Sequence, residues 1–162
     1  MIEFVTNIKS FWDEDLSNHN YARQVPFVAR NFDHLDRNYY NRDYLLQSFN
    51  DELPSCWQKF LESVNVGHGS VSWTCILPNL ILPSHRDTFY TMRQEHNIEI
   101  DRCFRYLIFL EDWTFGHYAG FENKHISNWK KGDVWVFDSN ELHFAVNASN
   151  IPFHSCQVST FK

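Results

Sequence analysis

No CxxC pair occurs in the 162 residues, and the four cysteines, Cys56, Cys75, Cys103 and Cys156, lie far apart. That spacing argues against a zinc ribbon and fits reduced thiols. No run approaches the roughly 20 apolar residues that span a bilayer, so no membrane span is expected. The opening stretch MIEFVTNIKSFWDEDL turns acidic before any long apolar segment. No secretory leader is therefore expected, and a cytoplasmic location is. Repeats and low-complexity linkers are lacking too. Positive charge is in deficit, with a formal net charge of −6. An acidic surface disfavours duplex nucleic acid or anionic membrane as a partner, yet still allows a small acidic ligand in a local basic pocket.

What the chain does hold is aromatic material, with 15 phenylalanines and 6 tryptophans. Such side chains fill the interior of a sandwich or barrel and also line small-molecule pockets. The length suits one domain, 1–162, that divides by texture. Residues 1–65 are polar and aromatic, and a helical or irregular part packing on a sheet is expected there. In residues 54–64 (PSCWQKFLESV) the apolar positions Trp57, Phe60, Leu61 and Val64 follow the i, i+3, i+4, i+7 spacing of a helix face. A shorter helix is expected over 44–49. Residues 66–162 carry short apolar runs that read as strands at 71–77, 105–110, 134–137, 143–147 and 154–161. Turn signals such as Lys131-Gly132-Asp133 and Asp138-Ser139-Asn140 separate them. Many short strands with close turns point to an antiparallel sandwich or barrel.

Chemistry must come from the nine histidines and twenty acids. A chain of this composition contains a His-x-Asp or His-x-Glu about once by chance. This one has two, His34-Leu35-Asp36 and His85-Arg86-Asp87. On an extended chain, positions two apart face the same way, so His85 and Asp87 can present an imidazole and a carboxylate to one ion. His34 sits in the polar stretch NFDHLDRNYYNRD, where helix or loop is expected and residues two apart diverge. A facial site of two histidines and one carboxylate needs another histidine on a different element. His143 suits it, opening the strand His143-Phe144-Ala145-Val146-Asn147 just after GDVWVFDSN. Ala145 and Asn147 share its face, the first leaving room beside an ion and the second offering a polar group. A plain loop role for His143 stays open. His96 and His117 are candidates only for a pocket border.

The segments HRD (85–87), RYLIFLEDWTFGHYAGF (105–121) and WKKGDVWVFDSNELHFAVN (129–147) together resemble the iron(II)/2-oxoglutarate-dependent oxygenase superfamily. Within it, the chain is most similar to the aspartyl/asparaginyl β-hydroxylase-like branch, small phage versions included, in which case the host cytoplasm would be the location. The resemblance covers roughly residues 70–160. It implies a mainly β double-stranded β-helix, a jelly-roll or cupin relative, with N-terminal helices. It also implies His85, Asp87 and His143 as ligands of Fe(II), with 2-oxoglutarate as co-substrate, O2 as the second co-substrate, and succinate and CO2 as products.

The far carboxylate of 2-oxoglutarate needs a cation. Arg105 is the candidate, because a guanidinium on the face of Leu107 and Phe109 is costly to bury unless an acid pairs with it. A place at the sheet rim, paired with Asp101 or Glu111, is the alternative. The branch often carries an arginine on the last strand where this chain has Phe153, and no arginine or lysine lies between Lys131 and Lys162. That leaves more to Arg105, helped by His154 or by a serine or tyrosine hydroxyl, with Asn147 as a further polar contact. Trp73, Phe89, Tyr90, Tyr106, Trp113 and Trp135 are the aromatics that could wall a dry cavity. The substrate, a peptide side chain or a small metabolite, is not legible. Two rival classes remain: a non-catalytic jelly-roll metal- or ligand-binding module, and a cupin-like metal enzyme without an oxo-acid co-substrate.

Overall fold

The apolar runs of the second half pair into two antiparallel sheets that face each other. The structure, a computed structural model, describes residues 1–9, 45–50, 55–66 and 69–162. Its strands are β1 (Ile2–Asn7), β2 (Leu45–Asn50), β3 (Ser70–Ile76), β4 (Leu80–His85), β5 (Cys103–Phe109), β6 (His117–Phe121), β7 (Lys124–Ile126), β8 (Asp133–Asp138), β9 (His143–Asn147) and β10 (Phe153–Phe161). The larger sheet has the order β1-β8-β5-β10-β3-β2 and the smaller β4-β9-β6-β7. From β3 onward the chain passes back and forth between the sheets, and this winding makes the fold a double-stranded β-helix. No helix among the described residues is long and apolar enough to cross a membrane.

Strand alternation explains where each half of the core lies. On β5, Leu107 and Phe109 point between the sheets, where they meet Phe121, Phe137 and Phe153. Their neighbours Tyr106, Ile108 and Leu110 point to the outer face of the larger sheet. Helix α1 (Ser55–Ser63) covers that face through Phe60 and Leu61. Both faces of the larger sheet are thus buried along β5 and β10, which is why β5 reads as a continuous apolar run rather than an alternating one. The helix expected from the spacing of residues 57–64 is present and packs as expected at Phe60, Leu61 and Val64.

Two local expectations change, and one further helix is present. The described part of 44–49 is not the expected helix; β2 pairs along β3 with Leu45 opposite Ile76. So short a segment cannot nucleate a helix alone, whereas the open edge of β3 offers a ready ladder. The first residues are a strand as well, pairing β1 with β8. The stretch after Asp87 begins a helix, α2 (Tyr90–His96). Phe89 and Asn97 flank it in left-handed conformation, and buried Met92 anchors it. Strands β4, β6 and β7 carried weak signals: Pro83 in the first, Gly120 in the second, and only three residues in the third.

Gly132 holds the turn that feeds β8. Its φ is 90°, and an added Cβ would collide with the carbonyl of Ile8. Its N–H donates to Phe109 O at 2.8 Å and its carbonyl accepts from Ile8 N–H at 2.9 Å. Gly132→Ala is therefore expected to cost about 1–3 kcal/mol. A melting temperature several degrees lower would show it; an unchanged one would mean that the turn relaxes freely.

Candidate metal centre

His85 is the last residue of β4 and His143 the first of β9, and the two sit directly opposite each other in the ladder. A register irregularity between Leu82 and His85 brings them level, at the point where Pro83 has no N–H to continue the pairing. The rings are 4.3 Å apart between centroids. Asp87 follows two residues on, its Oδ1 3.9 Å from His85 Nε2 and its Oδ2 3.7 Å from His143 Nε2. Among the described residues these three form the group whose ligand atoms all lie within 4.8 Å of one another, close enough to hold one ion. The structure brings together the three residues that the spacing argument selected, at one mouth of the barrel.

The hydrogen bonds fix which nitrogen faces the ion. His85 Nδ1 lies 2.7 Å from Pro83 O, and His143 Nδ1 lies 3.0 Å from Glu141 O. A carbonyl can only accept, so each Nδ1 carries the proton and each Nε2 presents its lone pair. Burial lowers the pKa of both histidines, that of His143 to about 4, so both rings are neutral at physiological pH. His143 Nε2 and Asp87 Oδ2 are buried and make no hydrogen bond. A buried imidazole nitrogen with no hydrogen bond is costly, and a divalent ion would satisfy it while sharing Asp87 Oδ2 with Arg105. Two neutral imidazoles and one carboxylate on one side of an ion form the donor set of open-sided transition-metal sites, which leaves coordination positions for other ligands.

Arg105 reaches the cluster from the opposite sheet. Its Nη1 is 2.9 Å from Asp87 Oδ2, within ion-pair range but outside hydrogen-bond geometry. The guanidinium also donates to Gln157 Oε1 at 2.6 Å and Ser159 Oγ at 3.1 Å, and it lies over the Phe89 ring. Arg86 turns away, donating from Nε to Asn140 O at 2.7 Å and approaching Glu122. It ties the His-x-Asp segment to the turn that precedes β9. Behind His143, between the sheets, lies a cavity of about 30 Å³ bordered by Thr74, Leu107, Phe137, Ser155 and Gln157. That is room for a water molecule or two. None of the described lysines or arginines borders it.

Other candidates are placed elsewhere. Asn147 faces inward like His143 but lies four residues along β9, about 13 Å away. Its amide donates to Ile76 O and Ile151 O and accepts from Ser149, so it closes the far end of the barrel. His154 alternates with the inward Phe153 and Ser155, so it faces the outer side, paired with Glu111 Oε2 at 2.9 Å. His117 also lies at the far end, against Ser149 and Phe153. His96 packs on Phe161. His34 lies outside the described residues. Of the suggested pocket aromatics, Phe89 lies under Arg105 beside the cluster; Trp73 and Tyr106 belong to the outer cluster, Trp113 and Trp135 pack on the inner one, and Tyr90 is exposed.

The rings beside His143 are instead Phe121 and Phe137, with centroids at 5.9 and 4.8 Å. Sequence reasoning also passed over Gln157 and Ser159. Their signal was present in HSCQVS: polar Ser155, Gln157 and Ser159 alternate with apolar Cys156 and Val158. On a strand buried on both faces, that alternation marks a polar interior.

No family model and no curated protein matches the chain. Solved structures do. A prolyl-4-hydroxylase from Pseudomonas putida is similar with a TM-score of 0.54 and 11% identity, over 73% of this chain and 71% of that one. The plu4264 protein from Photorhabdus luminescens matches with a TM-score of 0.51 and 11% identity, over 97% of this chain and 90% of that one. An uncharacterized conserved protein with a double-stranded β-helix domain from Klebsiella pneumoniae gives 0.39 and 16%, over 57% of this chain and 66% of that one. At these identities the likeness concerns the fold. The protein is a double-stranded β-helix, or cupin-fold, protein. It carries a His-Asp-His cluster able to hold a metal at one barrel mouth.

Proposed function

We propose that the protein is a non-haem Fe(II)- and 2-oxoglutarate-dependent oxygenase of the aspartyl/asparaginyl β-hydroxylase-like branch. It would insert one atom of O2 into an unactivated C–H of a peptide side chain or small metabolite and the other into succinate, with release of CO2. One observation carries the reading: two buried neutral imidazoles and a carboxylate converge, with His143 Nε2 and Asp87 Oδ2 lacking any hydrogen bond. Bound Fe(II) would supply O2 activation on its open side. The chain's own part is to fix both histidine tautomers through Pro83 and Glu141, and to keep the site dry with Phe121 and Phe137. Arg105 is the proposed contact for a carboxylate of the co-substrate. The prolyl-4-hydroxylase likeness supports the oxygenase reading by analogy of fold only.

A second reading, a cupin-like metal enzyme without an oxo acid, draws on the absence of described lysines and arginines around the cavity and on Phe153 bordering it. An anaerobic titration separates the two. Adding Fe(II) and then 2-oxoglutarate is expected to give the weak visible charge-transfer band of the chelate. Iron binding without that band would remove the 2-oxoglutarate reading and leave the second.

A further inference from the structure

Arg105 is an unusual neighbour for a metal ligand. Its Nη1 stands 2.9 Å from Asp87 Oδ2, the same oxygen that faces His143 Nε2 at 3.7 Å. The guanidinium is mostly buried, with 16% side-chain exposure, and Gln157, Ser159 and the Phe89 ring hold it there. With both imidazoles neutral, the charges of Asp87 and Arg105 cancel. A divalent ion entering this group competes with a cation for its only carboxylate, and it leaves two positive charges uncompensated in a poorly solvated place. A dianionic ligand on the ion restores neutrality. It also gives the guanidinium a second carboxylate to grip, for which its planar fork is suited.

We propose that Arg105 makes metal binding and acid binding interdependent. Alone, the protein holds the ion weakly because Arg105 shares Asp87. When a carboxylate ligand binds the ion, Arg105 turns to that carboxylate, and ion and acid are retained as a unit. This rests on the metal reading given above and adds the order and coupling of binding to it. Coupling of this kind is reciprocal, so the ion must raise the affinity for the acid by the same factor.

The test measures Mn(II) affinity by electron paramagnetic resonance, with and without saturating 2-oxoglutarate or oxalate, a metal-chelating dianion with no tail. In the wild type the acid should tighten Mn(II) by at least about ten-fold. In Arg105→Met, Mn(II) without acid should bind more tightly than in the wild type, and the coupling should fall below about three-fold. Arg105→Lys, which keeps the charge and loses the fork, should retain part of it. Equal coupling in wild type and Arg105→Met overturns the proposal, as does wild-type Mn(II) affinity that neither acid changes, a result that needs no variant to fold. Failure here with a normal charge-transfer band leaves the oxygenase reading standing. Coupling with oxalate, but no band with 2-oxoglutarate, supports the role of Arg105 and removes the oxygenase reading.

Discussion

Asp87→Ala is expected to abolish divalent-metal binding and all turnover that depends on it, and to destabilise the metal-free protein as well. The carboxylate faces His85, His143 and Arg105 together, so its removal has two separate consequences. The first is the loss of the only anionic donor of the cluster. Affinity should fall by more than the roughly 10–100-fold typical when a mere supporting residue is removed. The second is a mostly buried guanidinium left with only the neutral partners Gln157 and Ser159, worth about 1–3 kcal/mol. A double variant separates them. Asp87→Ala with Arg105→Met should recover much of the lost urea midpoint and none of the metal binding. His85→Ala and His143→Ala should likewise lose the metal, and His34→Ala should keep it. Metal affinity in Asp87→Ala close to that of the wild type would mean that the ion, if any, sits elsewhere.

The stability of the metal-free protein should decline on both sides of neutral pH, for opposite reasons. Burial holds His143 near pKa 4, so between pH 6.5 and 4 the unfolded chain takes up a proton that the folded state refuses. Stability is lost as the pH falls through that window, by up to about 3 kcal/mol, and His85 contributes in the same direction. His154 behaves inversely. Burial alone would lower its pKa, but hydrogen bonds to Cys75 and Glu111 outweigh it and raise the value to about 9. Its contribution is complete below 6.5 and disappears as the pH rises through 9, again up to about 3 kcal/mol. Urea midpoints from pH 4 to 10 check both limbs. His143→Gln should flatten the acid limb and His154→Gln the alkaline one. A flat profile in the wild type would contradict both assignments. Added Mn(II) should steepen the acid limb, because protons and metal compete for the same nitrogens.

The strands that carry the site were legible because the chemistry and the periodicity coincide. His143 opens an apolar strand after a Gly-Asp turn, and the apolar runs RYLIFL and VWVF read as strands, the first of them buried on both faces. The three-residue cluster followed from spacing and from the need for a third ligand. The short helix at 44–49 failed because edge pairing with β3, a contact remote in sequence, decides the conformation of a segment too short to decide for itself. Asn147 was judged by the strand face it shares with His143, and His154 by its place beside Phe153. Strand length removes the first from the ion, and strand alternation sends the second to the other face. Arg105 was picked out for its unpaired charge on an apolar face. Its partner in the structure is Asp87, across the barrel mouth, and no local pattern announces a pairing between a strand of one sheet and the segment that follows a strand of the other.

The central claim is that His85, Asp87 and His143 hold one ion, and anomalous diffraction at the iron edge tests it most directly. Crystals grown anaerobically with Fe(II) should show a single strong peak bonded to His85 Nε2, His143 Nε2 and an Asp87 oxygen, each at about 2.0–2.2 Å. A peak at another place, or none at all with Fe(II) in excess, would contradict the account.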